Sequence, residues 1–196
     1  LLTTHANDYM LGTQVSLIAN IAKKEMHGLQ ATTVINVARK HFEGVQISSA
    51  VNYAGSFSGS QIGTAVNFTK DKSSGAQIGV VNLAIDTLKG FQVSAGVNYA
   101  KATKMQITAG VNAAESSNLQ VVAGVNVAKE TVVQVSAGVN AAKKSDIQVV
   151  AGVNAAHENN KLQVGVVNYA TKESGRQWGI VNVCDLCEKT PVAIIN

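Results

Sequence analysis

Aromatic residues make up only 5% of this 196-residue chain and charged residues 14%, and a single proline and two cysteines occur. Each scarcity excludes something. Sparse aromatics leave few bulky side chains for a core, so the interior must be thin and made of small residues packed backbone to backbone. Sixteen Lys and Arg against twelve Asp and Glu give a net charge of +4. Spread along the whole chain and without aromatic stacking partners, that charge is too dilute for a nucleic-acid groove. No run approaches eighteen apolar residues, so no transmembrane helix is predicted. Cys184 and Cys187 form a lone C-x-x-C with neither a helix N-terminus nor a second ligand pair beside it; they read as two small residues in a degenerate last repeat. There is no initiator Met and no signal peptide. The start, Leu1 to Thr4, reads as the middle of a strand, so the chain is expected to be part of a longer protein.

What is present is repetition. Gln falls at 14, 30, 46, 61, 77, 92, 106, 120, 134, 148, 163 and 177. Asn follows at 20, 36, 52, 67, 82, 98, 112, 126, 140, 154, 168 and 182. Successive Asn residues lie 14 to 16 apart. Asn196 marks a thirteenth unit, with Pro191 at its Gln position. The chain is thus one repeat domain over 1–196: a degenerate first unit over 1–13, twelve repeats over 14–182, and a degenerate last unit or exit strand over 183–196. None of the twelve Gln-to-Asn segments contains Asp, Glu, Lys or Arg, although these average 14% of the chain. Each segment is therefore an ordered β core, and each charged connector a solvated turn. Val and Ile enrichment and the absence of a 3.6-residue period favour strand over helix. Three units, starting at Gln77, Gln163 and Gln177, read Q-x-G-x-V-N, one residue shorter than Q-V-S-A-G-V-N. One residue flips a strand's faces, so the longer form must hold a bulge or corner near its glycine.

The fold class is all-β, and two architectures absorb the pattern. In a β-solenoid each unit is one of about twelve coils, stacked in parallel with like residues in register. The candidate ladder is Gln92, Gln106, Gln120, Gln134 and Gln148 with Asn98, Asn112, Asn126, Asn140 and Asn154, each amide bonding its copies above and below. Leu119, Val121, Ala123, Val125 and Val127 would fill the coil, and Gly124 would turn its corner. The alternative is an antiparallel meander closed into a β-barrel, with a Val/Ala face for lipid and a Gln/Asn face for a wet lumen. Tyr53, Phe68, Tyr99 and Tyr169 would make a sparse interfacial girdle for it. The uniformity of the units favours the solenoid.

The units, best seen in G-F-Q-V-S-A-G-V-N-Y-A over 90–100 and G-A-Q-I-G-V-V-N-L-A over 75–84, resemble the tandem G-x-Q-x-x-G-x-N-x-A repeats of surface-repeat proteins of Gram-negative bacteria, a group without an assigned function. The resemblance covers residues from about 11 to 196, and the Pro-led ending resembles that group's exit from the array. It implies an exported envelope protein at the cell surface or outer membrane. It brings no catalytic residues. The frequent S-A insertion and the shortened units after residue 100 depart from the pattern.

No catalytic, metal or cofactor site is predicted. The carboxylates Glu43, Asp71, Asp86, Glu115, Glu130, Asp146 and Glu158 fall about one per connector and read as a solvated charged ridge. His5, His27, His41 and His157 sit in unrelated units without metal-ligand spacing. Ser94, Thr108 and Ser136 lack a His or Asp pattern, and Trp178 suits capping a stack. Three functional readings follow. The first is a non-catalytic structural or adhesive surface scaffold whose flat Gln/Asn faces meet a glycan, an envelope component or another copy. The second is an outer-membrane barrel or pore, and the third a module for a flat surface such as ice. The last is disfavoured by the scarcity of Thr (Thr64, Thr108).

Overall fold

The amide period and the Val/Ile-rich segments between charged turns produce strands throughout. The computed structural model describes residues 1–173 and 175–189, and the backbone of 192–195. The chain forms two compact units, 1–103 and 104–196. In each, strands stack in parallel and in register, coil upon coil. Each unit is a β-solenoid, and parallel pairing excludes the antiparallel barrel.

The first unit opens with β1 (Thr3–Ala6), β2 (Met10–Ser16), β3 (Ala19–Ala22) and β4 (Glu25–Thr32), followed by β5 (Ile35–Ser48) and β6 (Val51–Thr69). The next strand, β7 (Ser73–Thr108), runs past its boundary. Residues 1–13, although degenerate in sequence, take the coil register: Thr4 lies opposite Asn20, and its hydroxyl donates to Asn20 Oδ1. The coils are 15 or 16 residues long, and their interior holds Met26, Phe42, Phe57 and Leu88 beside a file of alanines. Glycines at 12, 28, 44, 59 and 75 turn one corner with positive φ, 128° at Gly44. They stack directly on one another, and a Cβ on Gly44 would overlap the Gly28 carbonyl oxygen. Only glycine satisfies both demands.

The second unit contains β8 (Val111–Val122), β9 (Val125–Ser136), β10 (Val139–Val150), β11 (Val153–Val164), β12 (Val167–Glu173), β13 (Arg176–Cys187) and β14 (Val192–Ile195). Its Asn residues are 14 apart from Asn112 to Asn182, and among its described residues no glycine has positive φ. The inward position that holds Phe42 and Phe57 in the first unit is held by small polar residues. Ser117, Thr131, Ser145, Asn159 and Glu173 stack in register there, all buried. Shorter coils leave no room for a ring. Bends at Ala123–Gly124 and Ala137–Gly138 turn the corner expected near the glycine of the long repeat form. In the first unit the same length difference appears as a register shift between Gly63 and Val66, opposite Gly79 and Val81. After β13, β14 continues the parallel stack, Trp178 opposite Val192. The expected Gln-equivalent Pro191 and the thirteenth Asn196 lie outside the described residues.

The interior is where the structure departs from expectation. Of Leu119, Val121, Ala123, Val125 and Val127, none is buried; Ala123 and Val127 are exposed. The buried positions of that coil are Gln120, Val122, Asn126 and Ala128. The reason is parity: the strand alternates, the amides take the inward phase, and the aliphatics beside them must point out. Gln120 and Asn126 tolerate this because their donors and acceptors are met. Gln120 Nε2 donates to Gln106 Oε1 at 2.8 Å and to the Val127 carbonyl at 3.2 Å. Asn126 Nδ2 donates to Asn140 Oδ1 at 2.9 Å and to the carbonyl oxygens of Gln120 and Val135. The side chains thus also bond backbone carbonyls of the strands.

Two substitutions probe these constraints. Gly44→Ala should lower stability by about 2 kcal/mol or more, from strain and the blocked approach to Gly28, measured by chemical denaturation. Gln134→Glu keeps the shape but replaces a donor with a charge facing Gln120 Oε1. It should cost roughly 3 kcal/mol at neutral pH and recover when the carboxyl is protonated in acid; equal stability at both pH values would refute it.

Candidate functional site

The ladder residues fall where stacking requires. In the first unit Gln92 donates to Gln77 at 2.8 Å, and Asn82 donates to Asn98 at 2.9 Å. In the second, Gln120, Gln134 and Gln148 each donate to the Gln one coil earlier at 2.8 Å. Asn112, Asn126 and Asn140 each donate to the Asn one coil later, at 2.9 to 3.0 Å. All ten amides are fully buried, each 0% exposed. They therefore form no outward polar face, and the expectation that Gln/Asn faces meet a ligand is overturned. The ladder is a structural interior.

What faces outward is aliphatic and charged. Ile47, Ile62 and Ile78, each next to its Gln, are 39 to 43% exposed. With Val93, Thr64 and Val80 they border a groove of about 600 Å³ within the first unit. On the same unit Tyr53 and Phe68 stack, centroids 5.4 Å apart. Thr64 is exposed and Thr108 buried, so they share no outward rank. Ser136 is buried with Thr108. Trp178 points outward, 51% exposed, and lies in register with Val164 and Val192; the capping role expected of it is not what it does.

The charged ridge of the second unit is interleaved. Lys129 pairs with Glu115 at 2.9 Å, Lys144 with Glu158 at 3.5 Å and Lys161 with Asp146 at 2.9 Å, always between neighbouring coils. The Asn160 amide and the Lys161 ammonium hold Asp146 below the usual carboxylate range. In the first unit Asp8 pairs with Lys24. There, stacking also gathers histidines that the sequence had placed in unrelated units. His27 lies between Tyr9 and His41, with centroids 5.1 and 6.4 Å away, and its Nδ1 is 2.9 Å from Glu43 Oε2. Among the described residues no group of three or more His, Cys, Asp or Glu could hold a metal ion. Among the described residues no helix is long and apolar enough to cross a membrane. Cys184 and Cys187, expected only as two small residues, are joined in a disulfide, Cα atoms 5.8 Å apart.

Among the described residues one ionisable group lies inside. Glu173 is fully buried at the end of the Ser117–Asn159 file, and its Oε2 has no partner among the described residues. Burial pushes its carboxyl up to about 7, opposed only by the Gly175 N–H, which donates to Oε1 at 3.1 Å. A sequence signal existed: Glu173 stands fourteen residues after Asn159 and twenty-eight after Ser145, at the same repeat position. No protein-family model, curated protein or solved structure matches the chain.

The raised carboxyl fixes a pH dependence. Glu173 stays protonated in the fold while the unfolded chain ionises, so the folded state binds the extra proton. Stability of the unit should fall as pH rises from 4.5 to about 7, by about 3 kcal/mol. Glu173→Gln should flatten that slope in thermal unfolding at pH 5 and 8; an unchanged slope would refute the assignment.

Proposed function

We propose that this chain is a non-catalytic repeat scaffold of a Gram-negative cell envelope, at the cell surface or on the outer membrane, whose outward files engage a glycan or other envelope component, or further copies of itself. The solenoid repeat fold is compatible with a structural scaffold. The observation that carries the reading is the division of labour within each coil. The same two positions, Gln and Asn, are consumed by the interior ladder, while the positions beside them repeat an aliphatic or aromatic side chain outward, as in Ile47, Ile62 and Ile78 or Tyr53 and Phe68. A surface that presents one side chain at regular steps suits an extended, regular partner better than a single small substrate. The resemblance to surface-repeat proteins supports the envelope placement.

The ligand side shifts from the amides to these outward files. The Ile47–Val93 groove carries no charged lining, which suits the apolar faces of sugar rings or of a second sheet.

The test is binding of the purified chain to immobilised lipopolysaccharide, peptidoglycan and a panel of bacterial glycans, with sedimentation to follow self-association. Saturable binding to an envelope polymer, weakened by Ile62→Asp on the groove, is the expected result. A blank across every polymer from a chain that sediments as a monomer would overturn the reading.

A further inference from the structure

The outward file next to the Asn ladder narrows to alanine over two successive coils at one place. In the first unit that file carries Val37, Tyr53, Phe68 and Leu83, in register from coil to coil. In the second unit it reads Ala113, Val127, Ala141, Ala155, Tyr169 and Val183, also in register. Two consecutive alanines leave a notch between two large side chains, Val127 at 44% and Tyr169 at 39% exposure. The result is a trough of about 410 Å³ with a floor of Ala141, Ala142, Ala155 and Ala156. Coil spacing of about 4.8 Å puts its end walls roughly 14 Å apart, so an apolar body about 10 Å long fits between them.

The rim has one sign of charge. Lys143, His157 and Thr171 lie along it. Of the other lysines on this ridge, Lys129 pairs with Glu115, Lys144 with Glu158 and Lys161 with Asp146, and Lys172 stands opposite Glu158 in the register. Lys143 is exposed and makes no ion pair among the described residues. Three carboxylates around the trough have partners: Glu115 and Glu158 are held by those lysines, and Asp185 Oδ2 accepts from the Tyr169 hydroxyl at 3.3 Å. Glu130 stands opposite Lys144 in the register. An apolar floor with a free ammonium, an imidazole and a hydroxyl at one edge is the lining of a site for an amphipathic anion.

We propose that this trough is a binding site for a monomeric medium-chain fatty acid, its hydrocarbon lying across Ala141 and Ala155 and its carboxylate meeting Lys143, with His157 and Thr171 as hydrogen-bonding neighbours. The site is independent of the scaffold reading: failure of polymer binding leaves it standing, and its own failure leaves the scaffold intact.

The experiment is a methyl-resolved NMR titration of the whole chain with decanoate, kept below its micelle concentration, and with decanol as the uncharged probe. Decanoate should shift the Ala141 and Ala155 methyls saturably. Ala155→Leu fills the notch with a side chain no larger than the Tyr169 already accepted in that file, so the fold is kept, verified by circular dichroism, and binding should be lost. Lys143→Gln should weaken decanoate about five-fold, the worth of one exposed ion pair, and leave decanol unchanged. Absence of localised shifts, decanoate binding that survives Ala155→Leu, or equal weakening of both probes by Lys143→Gln would each overturn the proposal.

Discussion

Every other feature of this fold depends on the requirement that a buried primary amide find its own copy one coil away. An amide inside a dry interior costs several kcal/mol if its donors and acceptor go unmet. Here the Gln and Asn files meet that demand by translation: the same side chain, at the same place, one strand spacing along. This explains why coils cannot drift in register, why strands pair in parallel and why charge is banished to the connectors. A single Lys or Glu at an inward ladder position would leave a charge with neither water nor partner.

The two files run in opposite senses. Gln120 and Gln134 donate backward along the chain, whereas Asn112 and Asn126 donate forward. Chains of aligned amides polarise one another, and two files of opposed sense keep that gain while cancelling most of the net dipole along the stack. One further inward file, that of Phe42 and Phe57, varies most, and coil size changes with it. Where it is Phe42 and Phe57, coils need 15 or 16 residues and a left-handed glycine at the corner. Where it is Ser117, Thr131 and Ser145, 14 residues suffice.

Repeat period, strand character, solenoid stacking and ladder membership were legible in the sequence because each is periodic, and periodicity survives translation into structure directly. The facing of the ladder was not. Hydrophobic-inside reasoning put Val125 and Val127 in the core and offered Gln and Asn as surfaces, and the structure reverses this. The rule fails because it treats each residue alone, whereas an amide becomes cheap to bury only as one of a stack. Absence of charge could not separate inward from outward, because the outward positions beside the amides, such as Ile47 and Ile62, are as free of Lys and Glu as the amides themselves. The His27–His41 contact was illegible for a different reason, and Glu173 was marked only by its repeat position, not by the burial of that position. Both the contact and the burial depend on which coil lies above which, and on where a degenerate connector re-enters the stack.

The two-sided bonding of each ladder amide has a consequence for how such a chain can change over time. Because Gln134 both donates to Gln120 and accepts from Gln148, no copy can be altered without disturbing its neighbours on either side. Insertion or loss of a whole coil leaves every remaining amide facing an identical partner. Point mutation is therefore filtered hardest at Gln and Asn and least at the turns, while duplication and deletion of complete units pass almost unopposed. Such an array is free to lengthen and shorten in steps of one coil, its interior held constant while its exterior diversifies.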